Sequence, residues 1–328
     1  MMAQERLLTI DAARFIGISL IILAHVLGPG SLLFQIRSFD VPLMVFISGL
    51  TCSGKDIPDY WKFFSHRFLR LMVPVWMFYS LYFVILYIGF RMNLGIEFPS
   101  WRIIGRTFLC LDGYGWIIRV FVLIALVAPF LIKLEDKVRN PFIFLLITGG
   151  IILIQEPLSH MFNGNGSALH KDLWEGCLLS LTGYIPAFLV GLRMRNAKVR
   201  EQLLFVTIFS LVTIIVFISP AIPFDLEYFK RPPRYPFIVY GIAVSCMIWF
   251  CQPFLKGLSK IRPCVFIGQN TIWIYLWHIF LLLVVFRIHV PWWIQYLIVF
   301  GGAITLFLPQ YYWCKRHKLT HISKYLAG

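Results

Sequence analysis

Apolar stretches of about twenty residues recur along the whole chain, and a stretch of that length spans the hydrocarbon core of a bilayer as a helix. Ten can be drawn: Leu7 to Leu27, Phe39 to Gly54, Leu69 to Phe90, Trp116 to Leu134, Pro141 to Ile154, Glu175 to Met194, Gln202 to Ser219, Phe237 to Leu255, Val265 to Phe286 and Pro291 to Trp313. The chain has 328 residues, of which 59% are hydrophobic, and its mean hydropathy is +0.78. A soluble domain of this length is far less apolar. The expected fold class is therefore all-α: a polytopic membrane bundle of about ten transmembrane helices. No internal repeat or linker interrupts it, so residues 1–328 read as a single membrane domain. The stretch between the third and fourth spans could instead hold an additional interfacial helix.

A net charge of +15 raises the question of nucleic acid. The placement of the charge answers it. If both termini lie on one side, that side carries 19 of the 30 lysines and arginines, and the opposite loops carry nine. Cytoplasmic loops are rich in Lys and Arg, so both termini are expected in the cytoplasm and no nucleic-acid partner is expected. Arg6 followed by an apolar run resembles a signal peptide, but Asp11 and Arg14 interrupt that run and no small-residue cleavage site follows. The first span is expected to be retained. The seven cysteines form no CxxC pair, and an odd number excludes a complete disulfide framework. Most lie in apolar runs as small hydrophobes. No zinc or haem spacing is present, so no metal is expected.

The first span holds ionisable groups that lipid would normally exclude. Arg14 and His25 are separated by ten residues. At about 100° per residue they share one helix face, about 16 Å apart along the axis. Asp11 lies three residues before Arg14, within reach of an ion pair. Ionisable groups inside a membrane usually face a cavity or a partner and mark function. The alternative is a pair of charges that only locks helices together.

Further constellations follow. Arg67 and Arg70 share a helix face, and two guanidiniums on one face suit a phosphate. From composition alone, a juxtamembrane cluster that holds anionic lipid and fixes topology is the favoured reading. Ser48 and Gly49 end Phe39-Asp40-Val41-Pro42-Leu43-Met44-Val45-Phe46-Ile47-Ser48-Gly49, where small residues permit close helix approach. Asp40, at the outer end, is either functional or interfacial. Tyr275 and His278 share a face inside the ninth span, as functional groups or as packed, hydrogen-bonded ones. Arg119 in the fourth span needs an anion or carbonyl partner. Glu156 and Glu175 are weaker candidates. Asp112, Tyr114, His160, Asn163, His170 and Trp292 are plausible sugar contacts, and equally plausible loop residues.

Together these residues resemble the acyltransferase-3 family of integral membrane acyltransferases. Ile10-Asp11-Ala12-Ala13-Arg14 followed by His25 is similar to the family's opening Arg-x10-His motif. Arg67-Phe68-Leu69-Arg70 is similar to its Arg-x-x-Arg motif. Val41 to Gly49 resembles its second-span signature, with Met44-Val45 where paired aromatics are more usual. Tyr275-Leu276-Trp277-His278 resembles its late span. Gly115-Trp116-Ile117-Ile118 lacks the usual Trp-Phe pairing.

The resemblance implies transfer of an acyl group, usually acetyl from acetyl-CoA, to a carbohydrate hydroxyl outside the membrane. Many relatives carry a fused extracytoplasmic hydrolase-like domain; this chain is expected to do without one, because it ends in a short basic tail. On that reading His25, Arg14 and Asp11 are the catalytic group. Arg67 and Arg70, with Arg14, hold acetyl-CoA, which acts as donor rather than as a permanently bound cofactor. Tyr275, His278, Ser48 and Arg119 contact the oxyanion or the acceptor. His25 either removes the acceptor proton or carries the acetyl group itself. The expected partners are acetyl-CoA, a glycan or lipid-linked sugar, membrane lipid, and a second copy or a glycan-assembly protein. The expected location is the bacterial inner membrane. The competing readings are a transporter or flippase for a lipid-linked sugar, and a non-catalytic scaffold.

Overall fold

The computed structural model describes residues 2–54, 59–161, 167–220 and 222–317, and helix follows helix through them. The order is α1 (Met2–Val26), α2 (Leu32–Ile36), a 3-10 turn (Arg37–Phe39), α3 (Asp40–Cys52), α4 (Tyr60–Arg91), α5 (Trp101–Phe108), a 3-10 turn (Gly113–Gly115), α6 (Trp116–Lys137) and α7 (Pro141–Met161). Then come α8 (Ala168–Lys171), a π-helical stretch (Asp172–Leu179), α9 (Ser180–Asn196), α10 (Val199–Ile218), α11 (Tyr235–Phe250), α12 (Gln252–Ser259), α13 (Arg262–Gln269), α14 (Thr271–Val285) and α15 (Trp292–His317). Among the described residues, eight helices are long and apolar enough to cross a membrane. Ten crossings result if α11 with α12, and α13 with α14, each count as one broken span. The protein is thus an all-α polytopic membrane bundle. Lys55, Asn163 and the basic tail after His317 lie outside the described residues.

Several boundaries differ from the sequence expectation, each for a local reason. The third span starts nine residues early, at Tyr60, because the Asp59 carboxylate accepts the Lys62 amide at 3.1 Å and caps the helix. Arg67 and Arg70 are therefore inside α4 rather than ahead of it. The fifth span runs on through Pro157 to Met161 and takes His160 into the helix. A proline is tolerated in a transmembrane helix because neighbours can satisfy the freed carbonyl. The eighth span bends by 69° at Cys251, and the ninth is interrupted at Asn270. The loop after α4 does contain the additional amphipathic helix, α5.

The helices form two compact units: Met1–Pro58 with Leu123–Gln269, and Asp59–Val122 with Asn270–Gly328. The first is centred on α3 and α9, whose backbones cross in contact. A Cβ at Gly49 would lie 2.2 Å from the Phe188 carbonyl oxygen, and one at Gly191 would lie 2.0 Å from that of Phe46. Only glycine fits at either place. Between lipid-solvated helices, small residues of this kind are what allow dispersion contact between backbones. The same device recurs where Gly241 of α11 meets Pro42 and where Gly183 of α9 meets Pro233. Two polar clamps finish the unit. Gln155 donates to the carbonyls of Leu179 and Pro233, both at 2.9 Å, and accepts the Thr182 hydroxyl at 2.6 Å. Arg193 donates to Glu201 (2.6 Å), Glu135 (3.2 Å), Val138 O (3.0 Å) and Arg139 O (2.5 Å), joining α6, α9 and α10.

The second unit is held by aromatic packing. Phe78, Tyr79, Tyr82 and Phe83 of α4 stack among themselves and on Phe108 of α5. The Trp76 indole donates to the Phe108 carbonyl at 3.1 Å. Arg106 forks onto Asp112 at 2.6 and 2.9 Å, fixing the turn after α5. Trp277 of α14 packs edge-on against Phe78 and donates to Gln310 of α15 at 3.1 Å.

Gly49→Val and Gly191→Val are expected to lower the melting temperature in detergent by several degrees, since overpacking costs about 1–3 kcal/mol or more. Gly150→Ala on α7, where a Cβ meets nothing within 4 Å, is expected to leave it unchanged or raise it slightly. Equal melting curves for the three variants would contradict the close crossing.

Candidate active site

The stripe on α1 is built as its spacing requires. Because α1 is one uninterrupted helix from Met2 to Val26, Arg14 and His25 stay on a common face. Arg14 Nη1 donates to Asp11 Oδ1 at 2.9 Å. The second oxygen, Oδ2, accepts Gln269 Nε2 at 3.0 Å. Asp11 is buried, whereas the Arg14 side chain keeps 31% of its surface. The carboxylate is thus the fixed element, and the guanidinium it orients is the accessible one. Gly268 makes this possible. A Cβ there would lie 1.9 Å from the Asp11 carbonyl oxygen, so only glycine lets α13 come close enough for Gln269 to reach. His25 is in the last turn of α1, half-buried, with Nε2 enclosed. Alongside α1, Met44 of α3 fills the space over Gly17, and Ser48 lies one turn further along α3, half-buried.

The other candidates of this unit resolve into pairs. Asp40 is fully buried and accepts Arg37 Nη1 at 2.7 Å, which makes it an internal ion-pair partner rather than an interfacial residue. Glu156 is forked by Arg234 and lies 3.2 Å from His160. That hydrogen bond raises the Arg234 pKa above its ordinary value.

In the second unit, Arg67 is half-buried with its guanidinium 4.9 Å from the centre of the Phe63 ring, and Arg70 is exposed. Tyr275 and His278 are buried on α14. Tyr275 donates its hydroxyl to the Tyr114 carbonyl at 2.5 Å, and His278 Nδ1 contacts the Tyr275 carbonyl. The Tyr275 and His278 rings are 4.7 Å apart, with Tyr114 edge-on at 6.3 Å. This is a packed, hydrogen-bonded ring cluster. Arg119 finds the carbonyl partner that its burial demands, Leu111 O at 3.4 Å.

Asp11, Arg14, His25 and Ser48 therefore belong to one unit, and Arg67, Arg70, Arg119, Tyr275 and His278 to the other. Gln269 was not foreseen as the second support of Asp11. Its signal was available: Gly268-Gln269-Asn270-Thr271 is a polar run inside an apolar stretch, the mark of a broken span. Among the described residues, no group of three or more His, Cys, Asp or Glu could hold a metal ion.

The acyltransferase-3 family model, described as an acyltransferase domain, matches residues 7–311. The chain belongs to that family. No curated protein and no solved structure matches it. As a family member it is a multi-pass membrane acyltransferase, which requires an acyl donor, an acceptor and a lipid environment. The matched segment begins just before the Asp11–Arg14 pair and runs into α15, so it includes both units.

Hydrogen bonds to charged groups contribute about 1.5–3 kcal/mol each. Asp11→Ala removes two and is expected to lower thermal stability more than Gln269→Ala, which removes one. The Asp11→Ala/Gln269→Ala double variant should melt close to Asp11→Ala alone. Fully additive losses, read from melting curves of the four proteins, would show that Gln269 does not act through Asp11.

Proposed function

We propose that this acyltransferase moves an acetyl group from cytoplasmic acetyl-CoA to a hydroxyl of an envelope or surface glycan, with His25 as general base. The observation that carries this reading is the α1 stripe: a partly accessible guanidinium anchored on a buried carboxylate, with an imidazole three turns further along the same face. In the orientation expected from the loop charges, Arg14 lies toward the cytoplasm and His25 toward the outside. Residues 1–328 then work as one membrane domain, in the bacterial inner membrane, alone or with a second copy or a glycan-assembly protein.

Arg67 and Arg70, basic and within a helix turn of each other, take the phosphates of the donor. Arg14 guides the pantetheine arm. His25 removes the proton of the sugar hydroxyl as its oxygen attacks the thioester carbonyl. A C–O bond forms and the C–S bond breaks. The proton held by His25 passes to the departing CoA sulfur. Ser48, Arg119, Tyr275 and His278 remain the proposed contacts of the oxyanion or acceptor.

One observation supports the competing reading. Broken spans such as α11–α12 and α13–α14 are also how transporters build midplane sites. The two breaks here are neighbours in sequence, however, not counterparts in two halves. Purified protein given labelled acetyl-CoA and acceptor separates the readings, because a flippase would leave the label on CoA.

His25→Ala is expected to lower glycan acetylation by about 100-fold to 10,000-fold, the usual contribution of a general base, at unchanged protein level and membrane insertion. Acetylation that persists would remove His25 from the role. Arg67→Gln and Arg70→Gln are expected to raise KM for acetyl-CoA with little change in kcat, as lost uniform binding does. A fall in kcat at constant KM would argue against a donor-binding role.

A further inference from the structure

At the end of α3 opposite the Arg14 level, the first unit contains a second charged group that the transfer chemistry does not use. Arg37 is 1% exposed. Phe34 covers one face of its guanidinium, 4.0 Å away. Nη1 donates to Asp40 Oδ2 at 2.7 Å, and Asp40 Oδ1 accepts the Val41 amide at 2.7 Å. The opposite edge, Nε and Nη2, is buried and makes no hydrogen bond. Those two N–H groups point the same way from a planar guanidinium, and they form the fork that grips carboxylate or phosphate with two parallel bonds.

A third unsatisfied group lies at the same level. Tyr184 is fully buried, and its hydroxyl makes no hydrogen bond. Its position relative to Asp40 follows from the register of α3 and α9. Asn196 donates to Ser53 and Arg195 to Leu50 O, partners separated by 143 and 145 residues. The two helices therefore run parallel, and the same offset carried back sets Tyr184 level with Asp40. The loop before α11 packs at this level: Pro233 lies against Gly183, the neighbour of Tyr184, and Glu227 pairs with Arg231 at 3.2 Å. That loop also brings down Lys230, buried and 3.3 Å from Glu227.

A buried donor without an acceptor is costly, and more so when it is charged. Three around one ion pair call for an acceptor, and the buried carboxylate oxygen of the adjoining loop that also makes no hydrogen bond, Glu227 Oε2, is held 3.3 Å from Lys230 instead. We infer that the open edge of Arg37 and the Tyr184 hydroxyl form a binding subsite for an oxyanion, a carboxylate or a phosphate, next to the 222–234 loop. This deepens the proposed function and rests on it in one respect: the oxyanion is assigned to the acceptor, which would then be an acidic or phosphate-bearing glycan. The anion binding itself does not depend on acyl transfer.

The test is thermal stabilisation of the purified full-length protein in detergent by glucuronate, by inorganic phosphate and, as a neutral counterpart, by glucose. Stabilisation by glucuronate or phosphate but not by glucose is expected. The stronger of the two tells a sugar carboxylate from a phosphate. Tyr184→Phe, which leaves the Arg37–Asp40 pair intact, should weaken the response about tenfold. Arg37→Gln should abolish it. If Arg37→Gln does not fold, Tyr184→Phe decides alone. His25→Ala should respond like the unmodified protein, which separates a failure of this subsite from a failure of the transfer chemistry. Absence of an anion-specific shift, or a shift equal in Tyr184→Phe, overturns the inference and leaves a site filled only by water.

Discussion

The contact between the α3 and α9 backbones is the constraint on which the first unit depends. In lipid, burying one apolar side chain against another gains little over leaving it among acyl tails. What remains is close packing and hydrogen bonding, and both require backbones to approach. Gly49 and Gly191 permit that approach. The register they set then decides which residues share a level, including Arg195 with Leu50 and Asn196 with Ser53. A one-turn slip would put Cβ atoms into carbonyls and leave those donors without acceptors. Polar specificity and steric fit thus enforce the same arrangement.

The Asp11 group applies the same logic to a charge. An arginine inside a membrane is tolerated when a carboxylate and a second hydrogen-bonding partner share the cost of its desolvation. Here the carboxylate is buried and the guanidinium keeps part of its surface. Asp11 is committed on both oxygens, to Arg14 and to Gln269, so it has little freedom to act as an acid or base itself. In the proposed transfer it would position Arg14 rather than exchange protons. The Arg37–Asp40 pair inverts the pattern, with both partners fully enclosed.

Much of the fold was legible in the sequence, because hydropathy and length are local properties. The spans, the shared face of Asp11, Arg14 and His25, and the close approach permitted at Ser48-Gly49 all follow from composition and helical spacing. The family was legible too, since its motifs are short and ordered along the chain. What escaped was non-local. Gln269 reaches Asp11 across 258 residues of chain, and no periodicity reports that. Asp40 gave no sign that Arg37 would close on it through a 3-10 turn. The early start of α4 depends on one capping carboxylate, Asp59, and the breaks at Cys251 and Asn270 on polar residues that a hydropathy window averages away. The chemical roles of the site residues have a different status: they come from the family's motifs and from side-chain chemistry.

Arg193 shows how a single side chain can narrow what the chain tolerates. Its guanidinium serves four acceptors on different elements, two carboxylates and two main-chain carbonyls. A lysine ammonium carries the same charge, but it has three donors radiating from one point and cannot span that geometry. Charge conservation alone would therefore not preserve the join. The ends of α6 and α9 and the start of α10 are knotted by a shape, and any displacement of one of them must carry the other two or give up bonds on several sides at once.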